Sequence, residues 1–154
     1  MRNKRKGITA IEILFAVGIV GIMMTIVVSS FSQFRNASLV NTESLDIVSF
    51  INNARLSSMS SVNDLQYGVH FDSDKVVMYS TAVYSASDST NVVRALNTRL
   101  NFTNIAIQGG GSDVIFRKVT GDTGLYATTT MKFLGSTATS TIFVIRPSGV
   151  AVTY

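Results

Sequence analysis

Apolar residues crowd the start of the chain and then thin into regular patterns. From Ile13 to Val28 the sequence reads ILFAVGIVGIMMTIVV, with Thr25 its lone hydroxyl. Carried back to Ile8 and on to Phe31, the block rises about 36 Å as a helix, at ~1.5 Å per residue, enough to cross a hydrocarbon core of ~30 Å. The helix is expected to continue, because residues Gln33 to Met59 hold no Pro or Gly. Apolar positions there recur at Val40, Ile47, Ile51 and Ala54, with Leu45, Val48 and Phe50 adjoining. That spacing makes one apolar face, of the kind that packs on a sheet. Asn36, Thr42, Glu43, Asp46, Asn52, Asn53 and Arg55 make the opposite, polar face. One helix from Ile8 to about Ser60 would measure roughly 80 Å.

Beyond Ser61 the pattern shortens to β-type runs. Gln66–Phe71 and Lys75–Tyr79 flank Asp72-Ser73-Asp74 and read as a hairpin. Further runs are Val92–Leu96, Thr103–Gln108, Asp113–Val119, Thr128–Leu134, Thr141–Ile145 and Val150–Thr153. Gly109-Gly110-Gly111, Thr120-Gly121-Asp122 and Pro147-Ser148-Gly149 read as turns between them, and Ser80–Asn91, rich in Ser and Thr, as a flexible loop. The expected class is α+β: a long N-terminal helix, transmembrane then amphipathic, packed on a small antiparallel β domain of two sheets. Four segments follow: a leader at 1–7, a membrane helix at 8–31, an amphipathic helix at 32–60 and a β domain at 61–154.

Charge sharpens this division. The formal net charge is +4, yet four of the 13 basic residues, Arg2, Lys4, Arg5 and Lys6, fall before Gly7 with no acid among them. The remainder is neutral. With the cations on that flank, the positive-inside rule leaves the N-terminus in the cytoplasm and exports everything after Phe31. The absence of Cys removes thiol nucleophiles, disulfides and thiolate metal sites, and a single His argues against zinc enzymes and histidine relays.

Glu12 is the misfit in the apolar block. A carboxylate in a bilayer costs about 2.5–3.5 kcal/mol even on the lenient insertion scale. No Lys or Arg lies between Gly7 and Arg35 to pair with it. A free α-amino group would serve, and cleavage between Gly7 and Ile8 would make one nearby.

The stretch Lys6-Gly7-Ile8-Thr9-Ala10-Ile11-Glu12, followed by an apolar helix, resembles the prepilin signature of type IV pilins and type II secretion pseudopilins. The resemblance implies removal of the leader at Gly7–Ile8 by a membrane prepilin peptidase, N-methylation of Ile8, and retention of Glu12 as the carboxylate for filament assembly. Ile8 stands where Phe is commonest in the family. Ser29 stands where many members carry the Pro that kinks the helix, so that kink is not implied here. The implied partners are the peptidase, other pilin or pseudopilin subunits, an assembly platform protein and its ATPase, and the cytoplasmic membrane. Asn53-Ala54-Arg55, Tyr67-Gly68-Val69-His70-Phe71, Phe116-Arg117-Lys118-Val119-Thr120-Gly121 and the closing Ile145–Val150 segment also resemble the H-type minor pseudopilins (general secretion pathway protein H). These later motifs are far less specific than the leader.

Other chemistry is weighed and set aside. A conventional signal peptide cleaved after Ser30-Phe31-Ser32 would start the product at Gln33, but the apolar run is long for that purpose and Glu12 interrupts it. Asp72 and Asp74 could grip Ca²⁺; a hydrated hairpin turn explains them as well. His70 lies in an alternating strand with no second metal ligand close by. Gly109–Gly111 lacks the Gly-Lys-Ser/Thr ending of a phosphate loop. Asp113 and Asp122 have no histidine base near them in sequence. Asn36-Ala37-Ser38 and Asn101-Phe102-Thr103 match a glycan acceptor pattern that arises easily by chance. No enzyme, metal or cofactor is expected. A DNA-uptake subunit is the alternative, with Arg94, Arg99, Arg117, Lys118, Lys132 and Arg146 as a patch on one edge; the neutral charge after the leader argues against it.

Overall fold

The computed structural model describes residues 7–134 and 140–154, with Ser29 and Ser30 as backbone alone. The basic residues of the leader therefore lie outside the described residues. Helix α1 runs Ala10–Met59. By its contacts the chain divides into two units, one ending at Asn36 and one running from Ala37 to Tyr154.

In the first unit every described side chain from Gly7 to Val28 is exposed. The apolar block thus has no partner within its own unit, and it is long and apolar enough to cross a membrane.

In the second unit α1 buries Val40, Ser44, Ile47, Ile51, Ala54 and Ser58. They recur at alternating steps of four and three, a single stripe. Two of them are serines, which the apolar pattern alone does not reveal. The Ser44 hydroxyl closes on the Asn41 carbonyl one turn back (2.8 Å), so a polar group enters the core already satisfied. The helix also differs from expectation at its margins. Leu45 is 60% exposed. Glu43, assigned to the polar face, is drawn in at 13% side-chain exposure and accepts from Arg94 at 3.1 Å.

Among the described residues the strands are β1 (Gly68–Phe71), β2 (Lys75–Tyr79), β3 (Val92–Ala95), β4 (Leu100–Ile107), β5 (Asp113–Ile115), β6 (Ala127–Phe133), β7 (Ser140–Ile145) and β8 (Ala151–Thr153). They form two four-stranded sheets, ordered β3-β2-β1-β5 and β4-β6-β7-β8, and every pairing is antiparallel. Phe71 of the first sheet meets Phe102 of the second edge-on at 5.8 Å, and Phe102 meets Phe143 at 5.8 Å. These rings join both sheets into one core with Ile47 and Ile51.

Two strand boundaries depart from the sequence reading by three or more residues, the others by two at most. β4 begins at Leu100, not Thr103, because Leu100 and Phe102 alternate inward while Asn101 does not. Asn104, at φ 53, absorbs one extra residue in a bulge between Thr103 and Ala106. β5 ends at Ile115 and not Val119. Past it the Arg117 N–H donates to the Asp122 carbonyl and Val119 is forced to φ 70, so the chain turns. Gly149 is needed where it stands: its φ is 79 and a Cβ there would overlap the Gly121 carbonyl. That close approach docks the 146–149 turn on the 121–124 turn, whose Gly121 oxygen also accepts from Arg55 Nε (3.0 Å).

Candidate functional site

Thr9 stands immediately before the first residue of α1 and acts as its N-cap. Its carbonyl accepts from the N–H groups of Glu12 (3.1 Å) and Ile13 (3.3 Å). Its hydroxyl lies 3.4 Å from the Glu12 N–H, a long contact of the same sense. Thr followed three residues later by Glu is the sequence pattern of a capping box; the Thr9 half of it is made here, and no bond from the Thr9 N–H to the Glu12 carboxylate is formed among the described residues. Glu12 is the acid of the first turn, where unpaired N–H groups and the helix dipole favour negative charge by about 0.3–1 kcal/mol. The sequence reading found no intrachain partner for Glu12; the helix terminus supplies part of one. It offsets only a fraction of the membrane cost. Gly7 and Ile8 precede the cap and are exposed, so the bond between them lies outside the helix.

His70 has a different setting from the one its sequence neighbours suggest. Register places it opposite Asp113 of β5, and its Nδ1 lies 2.9 Å from Asp113 Oδ1. Its ring stacks on Tyr84 with centroids 3.9 Å apart and planes 11° off parallel. A His–Asp pair is part of a nucleophilic triad, but no Ser, Thr or Tyr hydroxyl among the described residues hydrogen-bonds to His70. Nor do any three His, Cys, Asp or Glu side chains among those residues gather as a metal site. Asp72 and Asp74 sit in the hairpin turn as expected, where Asp72 pairs with Lys75 at 3.5 Å.

The six cations considered as a DNA-binding edge do not share an edge. Arg94 reaches from β3 to Glu43 and Asp46 (3.1 and 3.2 Å). Arg117 pairs with Asp122, and Lys118 with Asp64. The latter contact holds the Asp64 carboxyl below its ordinary range. Arg99 lies over the Phe133 ring, and Arg146 donates to the Tyr154 hydroxyl. Lys132 is on β6, in the other sheet from Arg94. Three of the six are therefore neutralised by carboxylates.

No protein-family model matches the sequence, and no curated protein matches it. Among solved structures, the crystal structure of the type IV minor pilin FimU from Pseudomonas aeruginosa is similar, with a TM-score of 0.56 at 12% sequence identity over 74% of this chain and 91% of that one. At that identity the likeness is one of architecture, and the long N-terminal helix with its antiparallel β domain is the pilin fold.

Proposed function

We propose that the chain is a minor pilin-like subunit of a type IV pilus or a type II secretion pseudopilus, of the H-type branch. It is made as a single-pass precursor in the cytoplasmic membrane, N-terminus inside, and trimmed by prepilin peptidase at Gly7–Ile8. Ile8 is then methylated and the subunit joins a filament with other pilin or pseudopilin subunits. A platform membrane protein and an ATPase drive that step. The subunit itself is not an enzyme and takes no cofactor; its work is mechanical and positional.

One observation carries this reading. A capped helix start, Thr9 through Glu12, sits directly after an exposed Gly7–Ile8 bond and opens an apolar helix whose side chains are exposed in its own unit. The pilin fold of the remainder supports it. In a bundle of such helices, each Glu12 meets the new ammonium of a neighbour. Breaking a buried pair costs about 3–5 kcal/mol because one charge is left alone, so the pair sets the axial register while apolar surface supplies adhesion. The signal-peptide alternative places its cleavage pattern, Ser30-Phe31-Ser32, inside the continuous helix α1.

Mass spectrometry of the mature chain tests the proposal. The expected N-terminus is methylated Ile8, and Gly7→Leu is expected to retain Met1 because a bulky side chain blocks the peptidase cleft. Glu12→Val is expected to insert and be trimmed, yet enter sheared filaments at least about a hundredfold less, the equivalent of ~3 kcal/mol. A mature chain starting at Met1 or Gln33, or normal incorporation of Glu12→Val, refutes it.

A further inference from the structure

The first sheet has a second face, turned away from the shared core. Gly68, His70, Val77, Tyr79 and Asp113 lie on it by register. Val77 and Tyr79 are fully buried there yet belong to no part of the main core cluster. The Tyr84 ring stacks on His70 and tilts against Tyr79, with centroids 5.5 Å apart. Tyr84 comes from Ser80–Asn91, the connection between β2 and β3.

That connection is not a bare flexible loop; it closes on itself. The Thr81 hydroxyl donates to the Val83 carbonyl (2.7 Å), and the Asn91 amide donates to the Ser85 carbonyl (2.7 Å). The Asp88 carboxylate accepts from the Thr90 N–H and hydroxyl (2.9 and 2.7 Å), bonds that hold its carboxyl below the ordinary range. Backbone bonds run from Asp88 to Ser85 and from Asn91 to Asp88. Among the described residues, no hydrogen bond leaves the segment for the rest of the chain. Its hold on the sheet is therefore through side-chain packing, and Tyr84 is the ring that makes it. Val83 beside it is 78% exposed.

The closed arrangement also carries a cost. Tyr79 Oη and Asn91 Oδ1 are both buried without a hydrogen-bond partner, and such groups regain their bonds in water. Tyr79 lies flat over Gly68, where a Cβ would come within 2.6 Å of its Cζ. Burial foremost, and then the Asp113 charge, hold the Tyr79 phenol un-ionised well above its usual range. No hydrogen bond of ordinary geometry joins Tyr79 to Asp113, so that proximity leaves the hydroxyl orphaned.

We propose that Ser80–Asn91 is a self-contained strap, latched by the single ring of Tyr84 against His70, which opens as a unit to uncover Tyr79 and Val77. Aromatic packing closes it and hydration of the two orphaned polar atoms favours opening. Asp113 is a positioning residue: it fixes the His70 ring parallel to Tyr84.

Chymotrypsin, which cuts after aromatic residues, reads the open state directly, since cleavage of a transiently opened segment follows the open population. On the full-length chain in detergent, His70→Ala is expected to speed cutting after Tyr84 about three- to tenfold, the range of one lost aromatic stack. Asp113→Asn keeps the ring and should give a smaller rise at the same bond. Tyr84→Phe keeps the stack and should stay within about twofold of the parent. Cutting after Tyr84 that is equally fast in the parent and in His70→Ala overturns the latch. So does a rise spread evenly over Phe71, Tyr79 and Tyr84 in both His70→Ala and Asp113→Asn, which would mean the sheet opens and not the strap.

Discussion

Tyr79 shows how one residue can set a property of the whole domain. Its phenol is buried on the second face of the first sheet, and burial with the Asp113 charge raises its pKa above the unfolded value near 10. For an acid the sign follows directly. The folded state favours the neutral form, so the associated stability is intact below about pH 10 and is lost as pH climbs through the raised folded value. The melting temperature of the full chain in detergent is therefore expected to fall between pH 10 and 11, and Tyr79→Phe to flatten that fall. At pH 7 the same substitution should be neutral or stabilising by up to about 1 kcal/mol, because the hydroxyl it removes has no partner. An unchanged alkaline profile in Tyr79→Phe, followed by thermal melts read in circular dichroism, would count against this account. Glu12 is the complementary case. Its charge stands in the first turn of a helix that Thr9 caps, where the terminus offsets part of the cost of holding it among apolar neighbours.

At the scale of elements, the amphipathic half of α1 offers a paired comparison. Ile51 is fully buried and touches the core that both sheets share, while Leu45 is 60% exposed. Ile51→Ala is expected to destabilise the domain by about 2–5 kcal/mol through lost burial and a residual cavity. Leu45→Ala should change stability by less than about 0.5 kcal/mol; denaturant midpoints of the two variants check both. The elements were legible where periodicity decides them. The eight described strands follow from short β-type runs set between turn residues, and the helical stripe from Val40, Ile47, Ile51 and Ala54. Ser44 and Ser58 were illegible because a buried serine betrays itself only through its bond: Ser58 accepts from the Tyr67 N–H at 2.8 Å and so fastens the helix end to the approach of β1. The ends of β4 and β5 were illegible for another reason. Asn104 can sit in a bulge and Val119 can be forced to positive φ, and neither residue announces that locally. The Glu43–Arg94 pair and the His70–Asp113–Tyr84 cluster join residues far apart in sequence, so only the fold could bring them together. The Gly7–Glu12 stretch is local, so a role could be proposed for it without a structure; the Thr9 cap at the start of α1 was not part of that reading.

For the molecule as a whole, the decisive quantity is where charge and apolar surface lie. The apolar surface is concentrated on residues before Phe34, exposed in their own unit. The domain from Ala37 onward is a compact unit with its own core. Charge follows the same division, since the excess cations all precede Gly7 and are lost if the leader is removed. What remains is electrically balanced, and Arg94, Arg117 and Lys118 are spoken for by Glu43, Asp46, Asp122 and Asp64. Nucleic-acid binding draws its free energy from counterions released by cations that meet phosphate, and a cation already paired must first give up its carboxylate. A DNA-uptake role would need a local cationic surplus that the domain does not display. The fragment from Arg35 to the C-terminus is therefore expected to leave a DNA duplex unretarded even near 10 mM salt, where screening extends to ~30 Å and weak attraction is at its strongest. Retardation at low salt that weakens steeply as salt is added would reverse this conclusion. It would show that cations held by no carboxylate among the described residues, Lys132, Arg99 and Arg146 among them, suffice to hold a phosphate backbone.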